Sequence, residues 1–193
     1  MNLHAMWTGA PNKRRFGPGS PVNRVQRGES MASLSDALVN ELLSGRYIAS
    51  FSSQNADGSI HVVAVWYCFD GGNIYVATSS RSRKARNIQL NPKVSLMIDS
   101  RDPAASRGVC IAGTARFLTG ESACNWNAKV HVKYLSPAAL ADERVGPVFA
   151  AWDDVTVEIT PTNVFAWDMR EADKQAFGGA FEKNPGYLLS AER

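Results

Sequence analysis

The sequence predicts a mainly β domain with flanking helices, folded as a small antiparallel barrel. Three observations support this fold class. Apolar segments of strand length recur at close spacing between residues 47 and 118, Gly, Asn and Asp separate them as turn residues, and few helical stretches intervene. A chain of 193 residues with 45% apolar and 20% charged residues suits one such domain with tails.

The first half of the domain is predicted to begin with a helix and to continue as a three-stranded meander. Ser33 is the expected N-cap of that helix and Gly45 its end, since these residue types favour those positions. Asn91-Pro92 is expected to end a second, short helix, because proline disfavours helical geometry in the residue before it. The predicted bounds are 34–44 for the first helix, 47–53, 60–69 and 73–78 for the strands, and 82–90 for the second helix.

The second half is predicted to contain two further strands, two helices and a closing hairpin. Ser136 is the expected N-cap of a short helix that starts at Pro137. Pro161-Thr162 is the expected turn of the hairpin. The predicted bounds are 93–99 and 109–118 for the strands, 120–134 for the longer helix, and 154–160 and 163–168 for the strands of the hairpin.

The two ends of the chain differ in composition from the domain. Residues 1–30 are rich in Gly, Pro, Arg and Asn and predict a disordered basic tail, with Met31 as an alternative start of the native protein. Residues 31–170 are expected to form the barrel domain. The polar segment 171–193 is expected to be a C-terminal arm.

Composition argues against several classes of partner. The net charge of +3 comes from the tail, because residues 1–30 carry +4 and the rest of the chain −1, so no nucleic-acid partner is expected. Three cysteines without a CxxC pair indicate neither a disulfide framework nor a zinc site. The sequence contains no apolar stretch of membrane-spanning length and no secretory signal, so we expect no membrane partner and the cytoplasm as the compartment.

The segment from Thr78 to Asn87 carries the clearest functional signal. Three serines and four cations follow a predicted strand and enter a predicted helix, so that hydroxyls, cationic groups and helix N–H groups could surround one anion. A run of charges on a helix is more often a solvated face. Arg83 and Lys84, however, oppose the helix dipole at its start, which is a cost that a bound anion offsets. We therefore predict a site for the phosphate of a cofactor or substrate.

This segment is part of a longer pattern. A strand, an Asp-Gly turn and a strand ending in Thr78 precede Ser82-Arg83-Lys84, Asn87 and Asn91-Pro92. The pattern resembles the pyridoxamine 5′-phosphate oxidase-like superfamily of FMN-binding split barrels. Further similarity to its flavin/deazaflavin oxidoreductase branch lies in Trp66 within VAVWY, in Gly113-Thr114-Ala115 and in the segment ITPTNVFAWD, so that the resemblance covers residues 34–168.

The resemblance implies an antiparallel split β-barrel that forms a homodimer with two flavin sites at the subunit interface. It assigns the phosphate to Arg83 and Lys84, and the isoalloxazine ring to backbone groups of the strand that ends at Trp66. The predicted cofactor-binding residues are Val62, Val63, Ala64, Val65, Trp66, Ala77, Thr78, Ser82, Arg83, Lys84 and Asn87.

The activity that the resemblance implies is an FMN-dependent oxidoreductase, which transfers hydride to or from a small organic substrate. Val62 and Val63 stand where the oxidase motif has a cation, which favours such a reductase over pyridoxamine phosphate oxidation itself. Two alternatives remain open. One is a reductase that uses the deazaflavin F420, and the other is a non-enzymatic flavin- or haem-binding carrier or sensor.

No catalytic residue and no metal ligand is assigned from the sequence. His61 and His131 are interpreted as surface or packing residues, because a flavin performs hydride transfer without a protein base. Asp153 and Asp154 are adjacent, so as strand residues they would face opposite sides and could not share acid–base work.

Overall fold

The computed structural model describes residues 32–102 and 106–188, which fold as a curled antiparallel sheet with helices around it. The predicted tail, residues 1–30, lies outside these described residues. The strands are β1 Ala49–Gln54, β2 Ile60–Val65, β3 Cys68–Asp70, β4 Asn73–Thr78, β5 Lys93–Asp99, β6 Arg107–Leu118 and β7 Val155–Asp168. The helices are α1 Ala37–Ser44, α2 Arg83–Leu90, α3 Gly120–Tyr134, α4 Pro137–Ala141, α5 Gly146–Trp152, α6 Met169–Phe177 and α7 Ala180–Lys183, followed by a 3₁₀ turn Pro185–Tyr187.

The connection between β2 and β3 curls the sheet. The strand order is β2-β1-β5-β6-β7-β4-β3, so β2 and β3 are the two edges of the sheet. Only Trp66 and Tyr67 join these edge strands, and two extended residues span roughly 10 Å at most between their neighbours. The edges must therefore approach each other at this end, which gives the half-barrel of the expected split-barrel fold and confirms the predicted fold class.

The core lies inside the curled sheet and beneath α1. Phe51, Leu96 and Ile111 are buried on neighbouring strands, and Leu42 and Leu43 of α1 are fully buried against the same cluster. Fully burying side chains of this size contributes roughly 1.5–3 kcal/mol each. The predicted first helix is shorter than expected and starts at Ala37, so the prediction of Ser33 as its N-cap is wrong. Asp36 is the residue that precedes the helix, and the carboxylate of Asp36 accepts a hydrogen bond from the Ser33 N–H.

The predicted three-stranded meander is wrong, because the segment 60–69 is two strands rather than one. Tyr67 interrupts it: its side chain is fully buried, and its hydroxyl donates to the Leu42 carbonyl oxygen at 2.7 Å. β2 consequently pairs with β1 at one edge of the sheet, whereas β3 and β4 form a hairpin at the other edge.

The predicted closing hairpin is also wrong, because β7 is one strand of 14 residues. β7 pairs with β6 along its length, and the register shifts by one residue between Ala112 and Gly113. Pro161-Thr162 therefore lies at a β-bulge instead of a turn. Pro161 is tolerated there because β4 pairs with β7 only as far as Ile159, so the missing proline N–H breaks no bond to β4.

Two helical regions were not expected. α5 begins with Gly146-Pro147, a pair typical of a loop, although proline in the first turn also suits a helix start. In the predicted C-terminal arm, α6 and α7 meet at a corner held by the buried carboxylate of Asp173, which accepts hydrogen bonds from the N–H groups of Phe181 and Glu182.

Candidate functional site

A cavity of about 250 Å³ opens where β2, β4 and α2 meet α3 and α5. Five of the residues predicted from the sequence to bind a cofactor line it. The lining side chains are Ile48, Ala64, Val65, Trp66, Ala77, Lys84, Val130, Phe149 and Asp153. The fold thus brings together, around one cavity, residues that were predicted from separate segments of the chain.

Lys84 is the cation that enters this cavity. It lies in the first turn of α2, and burial lowers the pKa of its ammonium group while the carboxylate of Asp153 opposes that shift. Arg83 is exposed on the same turn. Its charge contributes to the lowered pKa of Asp57, which is due mainly to hydrogen bonds from Ser59. The two predicted phosphate ligands therefore point towards different surroundings, and Lys84 is the one that lines the cavity.

The hydroxyl groups of the serine-rich segment are largely engaged within the protein. Ser82 is the N-cap of α2, with its oxygen accepting the Ala85 N–H at 3.2 Å and lying 3.3 Å from the Thr78 hydroxyl. The carboxylate of Asp154 accepts hydrogen bonds from the Ser80 N–H and hydroxyl, both at 2.6 Å. These contacts shape the loop, and Asp154 already occupies part of what the sequence suggested as an anion site.

Asn87 is a structural contact between α2 and the sheet. Its side chain is 5% exposed, and its Nδ2 donates to Ser53 Oγ at 3.0 Å and to Asn55 Oδ1 at 2.9 Å. Asn87 therefore holds the helix in the position that places Lys84 in the cavity.

The predicted ring-binding strand β2 is an edge strand with two different faces. Val63 packs against the core, and Val65 is buried. On the opposite face, Ile60 is 63% exposed and Val62 is 58% exposed. Ala64, on this same exposed face, lines the cavity. An unpaired edge offers backbone N–H and C=O groups to a ligand or to another chain.

Trp66 belongs to an aromatic cluster at the cavity wall. Its ring stacks on Tyr134 with centroids 5.0 Å apart and on Phe149 with centroids 5.3 Å apart. Phe149 lies on α5, a helix that was not predicted from the sequence and that has no buried residue of its own. These rings make one side of the cavity apolar and flat.

Asp153 is a second charged group of the cavity that was not assigned from the sequence. His131 is 5% exposed, so it is a buried residue as interpreted, but its Nε2 also lies 2.8 Å from Asp153 Oδ2. Asp153 lines the cavity, whereas Asp154 bonds Ser80, so the two carboxylates lie in separate places as expected, although both precede β7 and neither is a strand residue. No local pattern signals this pair, because its members are 22 residues apart and belong to different segments.

The residues present fit a phosphate-bearing ligand with a flat ring. A cation at the start of a helix suits the anion, and the aromatic wall suits the ring. The volume that one chain encloses is slightly below the range of roughly 300–1,000 Å³ that is usual for small-molecule sites. A complete cofactor would therefore extend beyond the walls that one chain provides.

A comparison with protein families identifies the family of this fold. The sequence profile of the pyridoxamine 5′-phosphate oxidase family matches residues 35–168, which include the whole sheet and all the cavity residues. The chain belongs to this family. No curated protein matches the sequence.

Solved structures of the same fold belong to proteins with different roles. The conserved hypothetical protein Rv2991 from Mycobacterium tuberculosis has a TM-score of 0.61 and 24% identity, over 73% of this chain and 88% of that one. An F420 reductase has a TM-score of 0.52 and 22% identity, over 65% and 94%. The haem storage protein HutZ from Vibrio cholerae has a TM-score of 0.50 and 19% identity, over 66% and 90%. At these identities the likeness shows the fold alone.

Membrane-spanning helices and clusters of metal-ligating side chains are both absent from the described residues. In residues 32–102 and 106–188, no helix combines the length and apolar character needed to cross a membrane. Across the same residues, His, Cys, Asp and Glu side chains form no group of three or more that could hold a metal ion.

Proposed function

We propose that this chain is a flavin-dependent oxidoreductase that binds FMN at a homodimer interface and exchanges hydride with a small organic substrate. One observation carries the proposal. Ala64, Val65, Trp66, Ala77 and Lys84 were predicted as cofactor contacts from the sequence, and they line one cavity. These five residues are distributed over 21 positions of the chain. If the cationic segment were only a solvated face, its lysine would not be expected to line a cavity together with the other four.

The residues of the chain divide the work of binding. Lys84 would hold the phosphate, since its ammonium group is the cation that lines the cavity. Ser82 and Asn87 would orient α2 through the contacts described above. The edge of β2 would bind the polar rim of the ring, and the wall at Trp66 would exclude water from it. The cofactor supplies the hydride chemistry when bound.

A second copy of the chain would complete the site. Ile60, Val62 and Ala64 lie at alternate positions of β2 and so share one face, which is exposed and apolar. Ala64 also lines the cavity. A partner that covers this face would therefore add walls to a cavity that is small in one chain.

The deazaflavin F420 is the alternative cofactor within the same proposal, because its ribityl and phosphate portions would meet the same residues. A haem carrier is a weaker alternative. Of the described histidines, His131 is hydrogen-bonded to Asp153, and neither His131 nor His61 lines the cavity.

The proposal is tested by measuring FMN and F420 affinity in Lys84→Ala. A charge-assisted contact contributes roughly 1.5–3 kcal/mol, so the dissociation constant should rise about tenfold or more. Arg86→Ala is the matched control, because Arg86 is an exposed cation on the same helix that does not line the cavity, and it should bind nearly as the wild type does. Equal affinities in wild type and Lys84→Ala would refute the phosphate assignment.

A further inference from the structure

Buried polar side chains converge on one aspartate at the cavity wall. His131 Nε2 contacts Asp153 Oδ2 at 2.8 Å, and Asn127 Nδ2 donates to the Asp153 carbonyl oxygen at 2.6 Å. The Thr156 hydroxyl lies 2.6 Å from Asn127 Oδ1 and 3.0 Å from the Ala123 carbonyl oxygen. His131, Asn127 and Thr156 are 5%, 3% and 0% exposed, so this network is buried except at Asp153.

The network holds the carboxylate of Asp153 in one position, although this carboxylate is not part of the hydrophobic core. Burying polar groups is costly unless each is hydrogen-bonded, and a satisfied buried network holds its members in one arrangement. Here the group that is held is partly exposed and faces the cavity: 19% of the Asp153 side chain is accessible. His131 and Asn127 are both on α3, so the helix that forms one wall of the cavity also orients the carboxylate.

Asp153 shares the cavity with Lys84 at a distance beyond direct contact. The two side chains interact electrostatically, but among the described residues the Asp153 carboxylate is hydrogen-bonded to His131 and forms no direct contact with Lys84. A carboxylate repels a bare phosphate bound at Lys84. It attracts a hydroxyl group, which donates a hydrogen bond to it.

We propose that Asp153 is a further ligand-binding residue, which accepts a hydrogen bond from a hydroxyl group while Lys84 binds the neighbouring phosphate. The ligand class that satisfies both is a phosphorylated polyol chain. His131 is then a positioning residue, because it orients Asp153 without lining the cavity. The inference rests on the proposed function, since the phosphorylated ribityl chain of FMN or F420 is such a ligand.

The test compares ribitol 5-phosphate with pentyl phosphate, which has the same chain length but no hydroxyl groups. NMR titration of the wild-type protein should show tighter binding of ribitol 5-phosphate. In Asp153→Ala this preference should fall by about tenfold, because losing a hydrogen bond to a charged group typically weakens binding by about that factor. Pentyl phosphate should bind Asp153→Ala as well as or better than it binds the wild type, since the repulsive charge is gone.

Further variants separate this role from a structural one. Asp70→Ala removes a carboxylate that pairs on the surface with Lys129 and should keep the wild-type preference. Asp153→Asn keeps a partner for His131 but removes the charge, so it should bind pentyl phosphate more tightly than the wild type does. His131→Gln should lower the preference for ribitol 5-phosphate while leaving the affinity for pentyl phosphate nearly unchanged.

The outcomes distinguish this inference from the proposed function. If Asp153→Ala weakens both probes by the same factor, or if the wild-type protein shows no preference, Asp153 does not bind the polyol and the inference is overturned. Failure of the wild-type protein to bind FMN and F420 in a separate titration would overturn the proposed function instead.

Discussion

Single residues on α2 show how one sequence signal divides into different tasks. The segment Ser82-Arg83-Lys84 with Asn87 was predicted to bind phosphate as a unit. In the structure Ser82 caps the helix, Asn87 bonds to β1 and its turn, Arg83 is exposed, and Lys84 lines the cavity. The residue types and their spacing indicated the helix from which Lys84 enters the cavity. They could not assign each residue, because the direction of a side chain around a helix depends on what the helix packs against.

Asn87→Ala should lower stability. The substitution removes two side-chain hydrogen bonds, one of them to the buried Ser53 hydroxyl, so we expect the free energy of unfolding to fall by about 1–3 kcal/mol. Urea denaturation measures this. Gln89→Ala, at an exposed position of the same helix, is the control and should change little. A stability equal to that of the wild type would show that Asn87 does not hold α2 to the sheet.

Lys133 should make stability depend on pH. Burial lowers its pKa from the usual 10.5 to about 8, although its Nζ lies 4.0 Å from the Tyr67 ring centroid and donates to the Leu43 carbonyl oxygen. Between about pH 8 and 10.5 the unfolded chain binds a proton at this lysine that the folded chain has released. Stability therefore rises with pH through this window.

The measurement is the free energy of unfolding of the wild type relative to Lys133→Met from pH 7 to 9.5. This range avoids the ionisation of Tyr67 and Tyr134, whose pKa values burial raises. The difference should shift in favour of the wild type as the pH rises. Lys93→Met, at an exposed position, is the control, and a difference that stays constant for Lys133→Met would contradict the lowered pKa.

At the scale of elements, the sequence predicted local structure better than it predicted pairing. The bounds of α3, β4 and β5 match the predictions, and Ser136 caps α4 as expected. The errors in strand assignment concern β2–β3 and β7, where apolar runs continue through a break or proline occurs within a strand. Both depend on distant partners: Tyr67 bonds to α1, and Pro161 is accommodated by the bulge against β6. Hydrophobic periodicity contains no information on either contact.

Gly113→Ala should disrupt the bulge between β6 and β7. A Cβ at this position would lie 2.7 Å from Ile159 Cγ2 and 2.7 Å from the Thr160 carbonyl oxygen, so backbone must shift. Overpacking of this kind costs about 1–3 kcal/mol, which thermal or urea unfolding would detect. Gly186→Ala is the control, because a Cβ there meets nothing within 4 Å. Unchanged stability of Gly113→Ala would mean that the two strands approach each other less closely than described.

At the scale of the whole molecule, the exposed face of β2 links the proposed dimer interface to the cavity. Cavity and face share Ala64, and the sequence could not reveal this link because it follows from which strand lies at the edge of the sheet. The missed residues Phe149 and Asp153 lie in or next to α5, which reaches the cavity only through the tertiary fold.

The double variant Ile60→Asp/Val62→Asp should be monomeric, since it places two charges on the proposed interface. Both positions are exposed in the single chain, so the variant should keep its fold. Sedimentation velocity reports the oligomeric state, and FMN affinity should fall together with dimerisation. Met169→Asp, an exposed apolar position on α6, is the control. A double variant that dimerises and binds FMN as the wild type does would place the interface elsewhere.

The central claim is that this cavity binds a flavin-type cofactor through its phosphate and ring. The most direct measurement is a titration of the purified wild-type protein with FMN and then F420, followed by absorbance and by tryptophan fluorescence. We expect saturable binding of one cofactor per chain, a perturbed visible spectrum and quenching of tryptophan emission as the ring reaches the wall at Trp66. Binding of neither cofactor, or a spectrum unchanged from that of the cofactor in buffer, would contradict it.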